Sequence, residues 1–346
     1  MAEKALVTGG GGFLGRHIVR QLVARGDVVR VLGRHRYPSL EALGVECQLG
    51  QIDDEEAVRR ACRGVDVVFH AAAIAGVWGD PEVYRRTNVV GTERVIAACR
   101  AEGVGRLVHT SSPSVVASQD GREHEGPDES CPIPERFPGE YPRTKAAAER
   151  LVLAAHGPDL ATVALRPHLL IGPGDPHLVP RLLQGAIQGR LAVVGPGTNK
   201  VDLTAVENGA RAHLQAASAL AGGKAGGKAY FLSNGEPVVL WTWVQEFLQA
   251  LGFPPLVRKV SLSRARKAAT AFETTWRVLG RPGEPPLTRF AAIQMATSHW
   301  FDISAARRDL GYDPERLPMA EATARLIAWW REGPGRWELL RMRTAS

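Results

Sequence analysis

The sequence predicts an α/β fold, a doubly wound parallel sheet carrying a smaller, mostly helical C-terminal lid. Three observations carry that prediction. Short apolar runs alternate with amphipathic stretches: Ala5-Leu6-Val7-Thr8, Val28 to Leu32, Glu46 to Leu49, Val67-Val68-Phe69-His70, Leu107-Val108-His109-Thr110 and Thr162 to Leu165. Runs that are apolar without alternation belong to strands covered on both faces. A glycine cluster, Gly9 to Gly12 with Gly15, separates the first run from the first amphipathic stretch. Beyond Pro167, Gly and Pro interrupt the chain repeatedly (Gly172-Pro173-Gly174, Gly195-Pro196-Gly197, Gly222-Gly223) and the periodic segments shorten. The expected organisation is a sheet domain over 1–166, a returning strand near 229–232, and a substrate-binding lid within 167–346.

The first strand leads into G-x-x-G-x-x-G and then into a helix with Ile18, Leu22 and Val23 apolar against Arg16, Arg20 and Arg25. Strand, glycine turn and helix together define a Rossmann-type dinucleotide site. Gly9 permits the tight turn, Gly12 lets backbone approach a pyrophosphate, and Gly15 lets helix and strand pack closely. The free N–H groups and positive dipole end of that helix face the phosphates. At the end of the second strand, Leu32-Gly33-Arg34-His35-Arg36 contains no acid to hold a ribose hydroxyl. The guanidinium forks of Arg34 and Arg36 match a phosphate instead, so the expected cofactor is NADP(H) rather than NAD(H). Further along, Asp53-Asp54-Glu55-Glu56 reads as a helix cap, and Pro81 opens a long helix carrying Tyr84, Asn88, Val95 and Ile96.

Composition excludes several classes. No run of about eighteen apolar residues spans a membrane, and the first strand begins too early for a cleaved leader. Four scattered cysteines, with no C-x-x-C pair, argue against a metal site and suit a reducing cytoplasm. The net charge of +7 raises nucleic acid as a partner, but Lys and Arg are spread out without interleaved aromatics. A basic cofactor pocket and an anionic substrate account for the balance.

Tyr141-Pro142-Arg143-Thr144-Lys145 places Tyr and Lys one helical turn apart. A phenol is a poor acid or base at neutral pH, and a neighbouring ammonium favours its phenolate. Lys145 also reaches toward a nicotinamide ribose. Ser112, just past the fifth strand, stands where a hydroxyl holds a carbonyl oxygen while Tyr141 supplies the proton. His168 and His177 flank the expected substrate cleft, and Trp78 is a candidate wall. Leu262, Ala265, Ala269, Phe272, Trp276 and Leu279 recur at helical spacing beside Arg264, Arg266 and Lys267. This basic amphipathic stretch, 262–279, reads as a lid helix, with a membrane surface or a pathway enzyme as its alternative contact.

On these residues the chain resembles the extended short-chain dehydrogenase/reductases, and within them the 3β-hydroxysteroid dehydrogenase group. The matching motifs are Thr8 to Gly15, His70-Ala71-Ala72-Ala73, Asn88 to Thr92, Thr110-Ser111-Ser112, Tyr141 to Lys145, Leu165-Arg166-Pro167, Ile171 to Asp175 and Phe301-Asp302-Ile303. The resemblance implies Ser112, Tyr141 and Lys145 as catalytic residues supported by Asn88. It implies a cofactor lined by Phe13, Leu14, Ile52, Ala71, Ala72, Ala73, Pro167 and Leu170 besides the glycines and arginines, and a homodimer through a four-helix bundle. Two departures stand out: Gly33 replaces the acid of members that use NAD, and Gln51 replaces an Asp read against adenine. A narrower likeness, to the 2-alkyl-3-oxoalkanoate reductases of bacterial long-chain olefin synthesis, rests on Ala75 to Gly79, Arg36-Tyr37-Pro38, Ser112 to Val116, Pro167-His168 and Gly172 to His177. It implies reduction of a long-chain β-keto acid to the β-hydroxy acid. The alternatives are dehydrogenation of 3β-hydroxysteroids or sterol 4-carboxylates, and a non-catalytic dinucleotide sensor. The complete Ser112, Tyr141 and Lys145 set argues against the sensor.

Overall fold

The computed structural model describes residues 2–344. Its central sheet has seven parallel strands: β1 (Lys4–Thr8), β2 (Val28–Gly33), β3 (Glu46–Leu49), β4 (Val67–His70), β5 (Arg106–Thr110), β6 (Ala161–Pro167) and β7 (Lys228–Leu232). The spatial order is β3-β2-β1-β4-β5-β6-β7, with β7 the expected returning strand. The winding reverses at β1, and the crevice beyond the carboxyl ends of β1 and β4 is where such sheets take ligands. Register sets Thr8 between Leu32 and His70 at the floor of that crevice.

Helices cover both faces, which is why Ala5, Leu6 and Val7 are fully buried without alternation. Helix α1 (Phe13–Arg25) buries Ile18, Val19 and Leu22 and ends at Gly26, whose left-handed backbone (φ 93°) returns its N–H to the Leu22 and Val23 carbonyls. In α2 (Glu55–Cys62) the Asp54 carboxylate caps Glu56 N and Ala57 N, the role its sequence context predicts. Helix α3 (Pro81–Tyr84) passes through a π-helical segment (Arg85–Val90) into α4 (Gly91–Ala101). Helix α5 (Glu140–Ala154) carries the Tyr-x-x-x-Lys pair and is tied to β6 by a buried ion pair, Arg166 donating Nε and Nη2 to Glu149 at 2.9 and 2.6 Å.

The region expected as a lid divides between two layers. Helix α7 (Val206–Ala221) packs on α1, and with β7 and the 301–312 segment it joins the sheet's own core through Ala210, Ala216, Tyr230, Phe301 and Tyr312. Helices α6 (Leu178–Ile187), α8 (Leu240–Ala250), α9 (Leu262–Val278), α10 (Arg289–Ala296) and α11 (Met319–Arg331) surround a second core. Trp241, Phe247, Leu248, Leu326 and Trp330 are its centre. Among the described residues no helix is long and apolar enough to cross a membrane.

Candidate active site

The glycine turn has the geometry of an anion cradle. Gly9 sits at φ 70°, and a Cβ there would lie 2.8 Å from Ala72 backbone, so the turn presses against the segment after β4. A Cβ at Gly15 would strike the Gly9 carbonyl oxygen, which explains why no larger residue stands at that position in the first turn of α1. Gly12 donates its N–H to Gly9 O at 2.9 Å, and its own Cα faces open space apart from that carbonyl. The N-terminus of α1 has neither a side-chain cap nor an acid in its first turn. Its N–H groups and dipole are therefore left for an anion, and a dinucleotide pyrophosphate fits this cradle. Phe13 and Arg16 line its far wall, where Gly172 and Gly174 approach them.

Of the two arginines after β2, the structure separates the roles. Arg34 is exposed and pairs with no other group among the described residues, while Arg36 gives Nε to Glu41 at 2.7 Å. Tyr37, quoted in sequence only as part of a likeness, lays its ring over Gly11 and Gly33, where any Cβ would collide with it. Gly33 is glycine here because an aromatic ring needs the space. Ile52 packs against Gly91 at the head of α4.

Beneath the crevice runs a chain of ordered protons. Thr92 Oγ1 donates to Asn88 O (2.7 Å), so it accepts from His70 Nε2–H (3.0 Å). His70 Nδ1 is then bare and accepts from Thr8 Oγ1 (2.8 Å), which in turn accepts from Ala72 N (3.2 Å). Burial pushes His70 down to about 3, consistent with this neutral tautomer. The chain fixes Ala71 and Ala72 behind the glycine turn; Ala73 beyond them is exposed.

Asn88 lies in the π-helical segment, a local widening common at functional positions. Its Oδ1 accepts from Ile74 N (2.8 Å), and its Nδ2 donates to Ile74 O (3.2 Å) and Thr144 Oγ1 (3.0 Å). It thus joins the segment after β4 to the turn of α5 that carries Tyr141 and Lys145. Ser112 caps the 3₁₀ turn Pro113–Val116 by accepting from Ser114 N at 3.2 Å, which leaves its O–H free to donate. Burial raises the Tyr141 phenol, and contact with the Ser112 side chain opposes that rise. Lys145 is buried, its Nζ donating to Thr110 O and lying 3.5 Å from His109 Nε2. Desolvation brings its ammonium down to about 8, with Glu149 pulling the other way. One N–H of the Lys145 ammonium is anchored on Thr110 O rather than on the phenol, and burial is the main influence on the Tyr141 phenol.

The substrate candidates separate. His168 is buried and committed, its Nε2–H reaching His299 Nδ1 at 2.7 Å, because His299 Nε2 already donates to Gln294 O. It is a core histidine rather than a cleft residue. His177 is exposed at the start of α6, its N–H held by Asp175 Oδ1. Pro167 is buried at the end of β6, and Leu170, half-buried, follows Leu169, which has the lone positive φ (34°) among described non-glycine residues. Trp78 is half-buried with the Arg277 guanidinium of α9 over its ring at 5.6 Å, so α9 comes over the segment after β4. That helix buries Ala265, Ala269 and Glu273 and turns Arg264 and Lys267 outward.

A reversed sheet with a glycine turn at β1 and a Tyr-x-x-x-Lys helix beside β5 defines a dehydrogenase-like Rossmann chain. The chain belongs to the 3-beta hydroxysteroid dehydrogenase/isomerase family, whose profile matches residues 6–262. It is 50% identical over 327 residues to a 2-alkyl-3-oxoalkanoate reductase of Stenotrophomonas maltophilia, covering 94% of this chain and 98% of that one. It is 34% identical to a decarboxylating sterol-4-alpha-carboxylate 3-dehydrogenase of Mus musculus, covering 94% and 90%. Among solved structures it is similar to a dTDP-glucose 4,6-dehydratase of Streptomyces venezuelae with NAD bound, at 27% identity and TM-score 0.74, covering 97% and 99%.

Proposed function

We propose that this chain is an NADPH-dependent reductase that converts 2-alkyl-3-oxoalkanoates to 2-alkyl-3-hydroxyalkanoates. The observation that carries the reading is a half-buried Tyr141 in contact with Ser112 one turn from Lys145, in a chain half identical over nearly its whole length to a reductase of that substrate. The NAD held by the dehydratase neighbour supports a nicotinamide dinucleotide here. The free Arg34 and the missing acid after β2 favour the phosphorylated form. The bound dinucleotide supplies hydride to the carbonyl carbon. Ser112 Oγ–H donates to the carbonyl oxygen and orients it, and Tyr141 Oη transfers its proton to that oxygen. A phenol raised by burial stays protonated at neutral pH, which suits reduction. After product leaves, the phenolate regains its proton from solvent. Lys145, anchored on Thr110, presents its remaining N–H groups toward the ribose. Trp78 and α9 close the cleft over the acyl tail, and the outward faces of α4 and α5, with small residues at Ala97, Ala147 and Ala154, serve a homodimer.

The test is NADPH oxidation with a 2-alkyl-3-oxo acid. Tyr141→Phe is expected to lower turnover about 100-fold or more while dinucleotide affinity stays intact. Wild-type protein that ignores the keto acid yet oxidises a 3β-hydroxysteroid with NAD overturns the reading.

A further inference from the structure

Four elements meet at the mouth of the cleft. The segment after β4 supplies Gly76 and Trp78, and α3 supplies Tyr84, whose buried ring underlies Gly79 and whose hydroxyl would lie 3.0 Å from a Cβ on Gly76. Helix α3 packs on α5, with Tyr84 close enough to Tyr141 for the two hydroxyls to interact electrostatically. From the second core, α6 brings Arg181, and the loop after α9 brings Glu284, whose Oε1 would lie 3.6 Å from that same Cβ. Arg181 Nη2 donates to both Glu284 oxygens at 2.7 Å, a contact across 103 residues. A single guanidinium nitrogen serves both oxygens, and Nη1 and Nε of Arg181 donate to no other described residue, so the fork is half used.

The charges around this point are otherwise committed. Lys145 is held by Thr110, Arg143 by Glu140, Arg85 by Glu82 and Arg86 by Asp53. Arg277 stands over Trp78. Arg181 is the cation beside Tyr84 whose partner comes from another element and is exposed on its own side, the two side chains being 45% and 41% accessible. Such a pair contributes about 0–1 kcal/mol and is readily exchanged. A substrate carboxylate has the same geometry and charge as the Glu284 carboxylate.

We infer that Arg181 is the carboxylate receptor of this cleft, and that Glu284 occupies it as an internal carboxylate until an acid substrate takes its place. The inference rests on the proposed reading that the substrate carries a carboxylate near the reacting carbonyl. Exchange frees the loop around Glu284 from Arg181, so the arrival of acid and the rearrangement of the cleft mouth are one event. A neutral ketone of the same length lacks the group that makes the exchange.

The experiment measures binding rather than turnover. Calorimetric titration of the full-length protein with 3-hydroxytetradecanoate and with its methyl ester gives the preference for the acid. Arg181→Gln is expected to weaken the acid roughly 10- to 100-fold and leave the ester unchanged, with Arg181→Lys between. Glu284→Gln is expected to tighten the acid about two- to five-fold. Retained preference for the acid in Arg181→Gln, or equal affinity of wild-type protein for acid and ester, overturns the receptor. Unchanged or weaker acid binding in Glu284→Gln overturns the exchange. Failure of the proposed reading shows separately, as absent NADPH oxidation by wild-type protein with a 2-alkyl-3-oxo acid.

Discussion

Replacing Lys145 with Met is expected to remove activity and, below pH 8, to relieve a cost of folding. The ammonium is buried, and desolvation lowers it from 10.5 to about 8. The sign follows from proton counting. Below pH 8 both folded and unfolded chains carry the charge, and the folded state bears the whole cost of burying it. Between pH 8 and 10.5 the folded state has released the proton while the unfolded state still holds it, so wild-type stability rises with pH. Above 10.5 neither is charged. The displacement corresponds to roughly 3 kcal/mol. Met also leaves Thr110 O without its donor, a cost of about 1–3 kcal/mol that does not change with pH. The stability of Lys145→Met relative to wild type should therefore fall by roughly 3 kcal/mol from pH 7.5 to 10.5. Urea unfolding followed by far-UV circular dichroism at three pH values measures this. A difference independent of pH would refute the argument, because it would mean that Nζ titrates as it does in water. The same titration places a decline in the wild-type reduction rate above about pH 8, since the phenol stays protonated there.

Two further outcomes are expected. Arg34→Ala should weaken NADPH binding by about tenfold or more and leave NADH unchanged, whereas Arg36→Ala should matter less because Glu41 holds its Nε. Fluorescence titration with both dinucleotides checks this, and equal losses for the two count against a phosphate site. Asn88→Asp keeps the contact with Ile74 N but turns an acceptor toward Ile74 O and toward Thr144 Oγ1, whose proton already goes to Glu140 O. It should cost about 2 kcal/mol or more, read as a fall in the urea midpoint; no change would exclude Asn88 as the tie between the two segments.

The sheet was legible because its signals are local. Valine-rich runs, the glycine turn, the Asp54 cap and Pro81 each act within one element, and the structure uses them in those places. The Tyr141-to-Lys145 spacing on one helix was legible for the same reason, although the destination of the Lys145 ammonium was not. That depends on the carbonyl of Thr110, on a strand thirty-five residues earlier. Long-range pairings left no trace in spacing. His168 reads from sequence as a residue beside the cleft, and the acceptor of its Nε2–H is His299, from the far end of the chain. Nothing in the spacing joins Arg181 to Glu284, 103 residues apart. Tyr37 was seen as part of a motif, and its placement over Gly11 needs the turn and the second strand together.

The two separately packed cores have a consequence for how such a chain diversifies. The glycine turn and the Tyr141 helix rest on the sheet's core, whereas α6, α8, α9 and α10 rest on the core around Trp241 and Trp330. Substitutions that do not touch tend to add independently. Drift in the second set can therefore change that set's packing at a stability cost confined to it, while the glycine turn and the Tyr141 helix keep their geometry. That modularity accounts for one scaffold shared with a sterol carboxylate dehydrogenase and a nucleotide-sugar dehydratase. It also directs efforts to change the acyl preference proposed for this protein to the packing of α8 and α10, away from the strands.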